Sequence, residues 1–166
     1  MKLKNKNIFG FTLVELLVVI SIIGILTMIG AVAYSGAQKK ARDTQRKTEL
    51  DALSKALIMY YNDHGVFPAL DSSSFFSSTV LTGGDDKSDI VYLAKMPEDP
   101  KNTGELIYVY KYDKNTDKQF NIFANLENKS DSQCVSPGYS VAGVGTTFCY
   151  GVSSPNRTLK NWGAGE

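Results

Sequence analysis

The sequence predicts an α+β fold in which one long N-terminal helix, membrane-embedded in its first half and amphipathic in its second, packs on a small antiparallel β-sheet. Three observations carry that expectation. An apolar run fills residues 11–33, small and apolar residues then recur at helical spacing through residue 61, and β-branched and aromatic segments follow at 106–112 and 120–126.

The apolar run, Phe11-Thr12-Leu13-Val14-Glu15-Leu16-Leu17 and onward to Ala33, exceeds the roughly 20 residues a helix needs to cross a bilayer at about 1.5 Å each. One charge interrupts it, Glu15, while Lys2, Lys4 and Lys6 stand ahead of it with no acid among them. By the positive-inside rule residues 1–10 lie in the cytoplasm, and the chain beyond Ala33 lies outside. An acid within a membrane segment is costly enough to demand a partner or a function. Ala31-Val32-Ala33 also fits the cleavage site of an ordinary secretory signal, which would leave Tyr34 as the first residue. Such signals have an apolar region of roughly 7–15 residues, and this run is longer and contains a carboxylate.

Gly10-Phe11-Thr12-Leu13-Val14-Glu15, behind a lysine-rich leader and ahead of an uninterrupted apolar run, closely resembles the class III signal of type IV pilins and type II secretion pseudopilins. The resemblance implies that a prepilin peptidase removes residues 1–10 by cutting between Gly10 and Phe11, and that Phe11 is then N-methylated. It implies a structural subunit that polymerises into a helical homo-oligomer through its N-terminal helix. Its partners would be the prepilin peptidase and methyltransferase, an inner-membrane assembly platform, and membrane lipid before assembly. A cut there leaves a positive α-amine one turn from Glu15, so that a neighbour's amine neutralises the carboxylate on assembly. The alternative is a single-pass anchor carrying an extracellular binding module, with Glu15 hydrated near the interface.

Residues 34–64 continue the helix in amphipathic form. Leu50, Leu53, Leu57 and Tyr60 fall at steps of three and four, and Lys39, Arg42, Arg46, Lys47, Glu49, Asp51 and Lys55 are read as the solvated face. Gly65 suits the left-handed cap and Pro68 blocks continuation. A helix over residues 11–63 would measure roughly 80 Å, the rod of the pilin lollipop. Tyr60-Tyr61-Asn62-Asp63-His64-Gly65-Val66-Phe67-Pro68 is similar to the helix end of major pseudopilins. Gly24 and Gly30 weaken the apolar helix; local melting in a filament and close packing at small residues both stay open.

Residues 65–166 read as the β-domain. Residues 69–90 form a loop anchored by Phe75, Phe76, Val80 and Leu81, with a short helix over 74–81, and residues 91–93 form a strand or turn. The turn Met96-Pro97-Glu98-Asp99-Pro100 again resembles major pseudopilins. Two antiparallel strands follow at 106–112 and 120–126, the second with Phe120, Ile122, Ala124 and Leu126 facing the helix and Asn121, Asn125 and Glu127 outward. Asp113-x-Asn115-x-Asp117 between them matches the start of a calcium loop, but Lys118 stands where that loop needs glycine and Ala124 where it needs glutamate. It reads as a hairpin turn. Because some major pseudopilins bind calcium, Asp85, Asp86, Asp89, Asp113 and Asp117 are kept as candidates, and no metal site or cofactor is assigned.

Cys134 and Cys149 both fall in the exterior domain, where an even pair most simply forms a disulfide, although two free thiols are the alternative. Many type IV pilins staple a C-terminal loop this way and major pseudopilins usually do not, so the resemblance leaves pilus against secretion pseudopilus open. Residues 135–148 are expected to hold little regular structure, and the tail from Gly151, with Trp162, to cap the domain or fray. The formal charge of +1 comes from 18 basic and 17 acidic side chains, 15 against 17 once the three leader lysines are removed, which argues against a nucleic-acid arm. Zinc spacing, a phosphate loop and a nucleophile elbow are absent from the sequence, and His64, the one histidine, sits at the helix end. The sequence is read as non-enzymatic.

Overall fold

One helix, α1 (Leu13–His64), takes up 52 residues and ends where the sequence supplies a stop. Gly65 adopts φ 73°, and its N–H donates to the Tyr61 carbonyl at 2.7 Å, closing the last turn with a residue that tolerates the left-handed region. The computed structural model describes residues 10–69, 75–76, 80–83, 90–113, 118–155 and 158–159. The chain divides into two compact units, Met1–Gln38 and Lys39–Glu166, and α1 contributes to both.

Among the described residues of the first unit, the large apolar side chains of the helix are exposed on every side. In the second unit Leu50, Leu53 and Leu57 carry the apolar stripe and are wholly buried, each worth roughly 1.5–3 kcal/mol. They share a core with Phe67, Phe75, Tyr108, Tyr110, Phe120 and Ile122. Aromatic rings set its geometry: Phe75 stacks on Tyr110 at 4.0 Å between centroids, and Tyr61 on Phe67 at 4.7 Å. The Tyr110 hydroxyl donates to the Pro68 carbonyl at 3.0 Å, tying the sheet to the chain just past the helix.

The sheets are small and antiparallel. β1 (Leu81–Thr82) pairs with β2 (Val91–Leu93). β3 (Val109–Tyr112), β4 (Phe120–Ala124) and β7 (Tyr150–Ser153) form a three-stranded sheet with β4 in the middle. β5 (Tyr139–Ser140) pairs with β6 (Thr147–Phe148). The expected helix–sheet packing is present, because Phe120, Ile122 and Ala124 of β4 share the core with the leucine stripe.

Four expectations need correction. The first strand begins at Val109, not 106, and Leu106 instead forms an isolated bridge with Thr103. β4 is buried on both faces, because Val109, Phe123, Val141 and Phe148 make a second cluster on the side read as solvated. Residues 135–148 hold regular structure only in the short β5–β6 pair, as expected, but the start of the tail is strand β7. Gly151 is needed there: a Cβ at this position would lie 2.8 Å from the Ile122 carbonyl oxygen. Of the helix expected over 74–81, Phe75 and Phe76 are helical and Leu81 belongs to β1; Trp162 and most of the last residues lie outside the described residues.

Candidate functional site

The candidate assembly site begins at the first turn of α1. Thr12 is the N-cap and Glu15 the third helical residue, the Thr-x-x-Glu spacing that lets each side chain satisfy the other's backbone. The Thr12 N–H and hydroxyl donate to Glu15 Oε2 at 2.9 and 2.6 Å, and the Glu15 N–H donates to Thr12 Oγ1 at 3.2 Å. A second reason for an acid at this position follows from the positive end of the helix dipole. Glu15 therefore has a partner within its own chain, which the sequence reading did not foresee although the spacing was visible.

Beyond this turn the helix presents an unbroken apolar surface. Phe11 is 78% exposed and Met28 76%, values ordinary for lysine and costly for hydrocarbon in water. The three hydroxyls of the stretch do not interrupt it. Thr12 is engaged by Glu15, Ser21 Oγ donates to the Leu17 carbonyl at 2.7 Å, and Thr27 Oγ1 lies 2.9 Å from the Ile23 and Gly24 carbonyls. Helical backbone and folded-back hydroxyls leave Glu15 as the group of this stretch that a hydrocarbon environment penalises. A Cβ added at Gly24 or Gly30 would meet nothing within 4 Å, so neither glycine is there to fit a neighbour within this chain. Gly10 is exposed just ahead of the helix, and Lys2, Lys4 and Lys6 lie outside the described residues.

The second unit contains an ionic cluster that the sequence reading missed. Arg46, placed on the solvated face by that reading, has no exposed surface. Its guanidinium grips Asp99 with two hydrogen bonds, Nε to Oδ2 at 2.7 Å and Nη2 to Oδ1 at 2.9 Å, while Nη1 reaches Asp43 at 2.8 Å and Glu127 at 3.0 Å. Glu127 is also held by Arg42 in two-pronged fashion and by Lys101. Three cations thus face three carboxylates. The Asp43 carboxylate in addition accepts the backbone N–H groups of Glu127 and Asn128, both at 2.9 Å. Burial opposes the charge on Arg46, but the hydrogen bonds it donates to Asp99 and Glu127 and their negative charges outweigh it and push its pKa up. The Arg42 guanidinium, first among several partners, holds the Glu127 carboxyl far below the usual carboxylate range.

This cluster braces α1 against the 97–101 turn and the chain leaving β4. Arg46 stands four residues before Leu50, in step with Leu50, Leu53 and Leu57, and that periodicity was the signal in the sequence. Asn125, also read as outward, is buried and fully engaged: its Nδ2 donates to the carbonyls of Glu105 and Thr147, and its Oδ1 accepts from Cys149 N–H and Lys129 Nζ. A disulfide joins Cys134 to Cys149, and Val135 N–H donates to the Cys149 carbonyl at 2.7 Å.

His64 stacks on Tyr60 at 4.2 Å with its Nε2 3.4 Å from the Tyr92 hydroxyl, which donates to Asp63 at 2.7 Å, a packed helix end. Asp113 continues the β3–β4 ladder through its N–H to the Gln119 carbonyl, while Asp85, Asp86, Asp89 and Asp117 lie outside the described residues. Among the described residues no three His, Cys, Asp or Glu side chains gather to hold a metal ion.

Comparison with known proteins agrees with the first turn of the helix. Residues 5–31 match the prokaryotic N-terminal methylation motif family. Type II secretion system core protein G of Vibrio cholerae serotype O1 is 32% identical over 99 residues, 58% of this chain and 68% of that protein. The chain belongs to the type IV pilin and type II secretion pseudopilin family. Fimbrial protein EcpC of Eikenella corrodens is 37% identical over 43% of this chain and 46% of its own length, and the type IV major pilin protein PilE of Neisseria gonorrhoeae is 33% identical over 42% of each. The chain thus spans under half the length of these two pilins. No solved structure matches it. Within the family motif fall Gly10 and Phe11, together with Thr12 and Glu15, the two residues that cap the first turn. These relatives of the pilin-family chain are named as a secretion-system core protein, a fimbrial protein and a major pilin.

Proposed function

We propose that this chain is the structural subunit of a type IV pilus or type II secretion filament, cut after Gly10, N-methylated at Phe11 and polymerised through its N-terminal helix. One observation supports this above the others: an exposed apolar helical stretch headed by a single acid in its first turn. Exposed hydrocarbon of that extent has two stable surroundings, lipid and other copies of itself. The first suits a subunit waiting in the cytoplasmic membrane with its C-terminal domain outside, the second a subunit in a filament core.

Glu15 sets the order of events. In the single chain its carboxylate is held by Thr12. A cut before Phe11 creates an ammonium four residues away on the helix, and a parallel neighbour brings its own ammonium to the Glu15 carboxylate. The pairing of two charges in an apolar core is favourable only when both are present, so it reports correct register. The prepilin peptidase supplies the cut, and the assembly platform draws the subunit out of the bilayer.

The test is Gly10→Val. The variant keeps its leader, shows the mass of the uncut chain and forms no filament; normal processing and normal filaments from it would overturn the proposal.

A further inference from the structure

A groove of about 380 Å³ opens on one flank of α1, between Gln45, Glu49 and Ala52 on the helix and Met96, Pro97 and Glu98 on the following turn. Its charges are unbalanced. Asp99 at its edge is taken by Arg46. Glu49 accepts hydrogen bonds from Gln45 at 2.8 Å and Tyr108 at 2.6 Å, both neutral donors, and Glu98 accepts one from Asn102 at 2.6 Å. Against these two carboxylates the groove offers one cation, Lys95. It is one positive charge short of neutral.

The complementary charge stands on the same helix. Lys40 is exposed and makes no ion pair among the described residues; Asp131, whose charge it helps to favour, is already held by Lys47 at 2.7 Å. Lys40 lies nine residues before Glu49. Nine residues are two and a half turns, so Lys40 leaves α1 on the flank opposite the groove, about 14 Å nearer the N-terminus. A contact that joins one flank of a subunit to the opposite flank of the next is head-to-tail, and such contacts generate open helical polymers instead of closed pairs.

We propose that the groove receives Lys40 of a second copy of this chain, placed parallel and displaced along the helix axis, so that its ammonium lies between Glu49 and Glu98. This rests on the filament reading and adds to it a lateral contact outside the apolar core. The pair sits at a rim where water is partly excluded by the incoming helix, and like charges there repel, so it specifies register more than it adds affinity.

The experiment compares wild type, Lys40→Glu, Glu98→Lys and the double exchange at equal membrane levels, measuring filaments sheared from cells. Each single exchange lowers filament yield by about fivefold or more, and the double exchange restores it to within about twofold of wild type. Undiminished singles, or a double exchange no better than the singles, overturn the groove contact while wild-type filaments leave the filament reading intact. Absence of wild-type filaments overturns both. A second readout covers variants that fail to accumulate: the pair Lys40→Cys with Glu98→Cys gives an oxidised ladder of linked copies, whereas each single gives dimers at most. No ladder, or a link to one foreign protein instead, overturns the proposal.

Discussion

Arg46 and Asp99, fifty-three residues apart in sequence, meet edge to edge through two hydrogen bonds of 2.7 and 2.9 Å, and neither side chain has exposed surface. The pair joins the helix to the turn between β2 and β3. Replacing Arg46 by Met leaves the buried Asp99 carboxylate without its cation and takes one partner each from Asp43 and Glu127, and we expect the unfolding free energy to fall by about 3–5 kcal/mol. The double variant Arg46→Met with Asp99→Leu should recover part of that loss. Urea unfolding followed by circular dichroism measures both; an unchanged midpoint for Arg46→Met would show that the brace is dispensable.

Glu127 gives the fold a pH dependence with a definite sign. Its carboxyl is held far below its unfolded value of about 4.3, chiefly by Arg42. A depressed carboxylate contributes stability that is complete above the unfolded pKa and is lost as pH falls below it, because the unfolded chain then binds the extra proton. The urea midpoint should therefore hold between pH 7 and 5 and drop from about pH 4 downward. Glu127→Gln should start lower at neutral pH and fall less steeply.

The disulfide closes a segment with a sequence separation of 15 that holds only the two-residue strands β5 and β6. Cross-linking a loop of this length is worth about 3 kcal/mol in the chain-entropy account. Cys134→Ser with Cys149→Ser should lower the thermal midpoint measurably, and the loss should be felt at Asn125, whose carbonyl accepts the Cys149 N–H. Calorimetry on the two proteins checks the magnitude.

The elements legible in the sequence were those set by local pattern. Apolar length gave the first half of α1, three-and-four spacing gave the second, and Gly65 with Pro68 gave its end within a residue. What stayed hidden depends on residues far apart. Arg46 reads as a solvated cation until Asp99 and Glu127, 53 and 81 positions away, are brought beside it. Phe123 was a visible warning: an aromatic among the outward positions of β4 makes little sense unless that face is covered, and β5, β6 and their flanks cover it. Asn121 on the same face is wholly buried, and neither of its side-chain polar atoms has a hydrogen-bond partner among the described residues. The Glu15 cap was legible in the spacing from Thr12, because Thr-x-x-Glu is an ordinary helix start.

Glu15→Leu separates the two roles of that carboxylate. Leucine removes the cap to Thr12 and leaves the apolar stretch longer, so membrane insertion should be unimpaired. Filament yield should fall by about tenfold or more, because a neighbour's buried ammonium loses its counter-charge. Fractionated membranes and sheared filaments, quantified on the same blot, report the two effects; filaments at wild-type level would refute the charge pairing.

The most direct measurement is the intact mass and first residue of the protein recovered from purified filaments. The account predicts a polymer whose chains begin at Phe11 with one methyl group on the amine. Chains that begin at Met1 or Tyr34, or a protein that stays a solitary anchored molecule in cells that are making filaments, would contradict it.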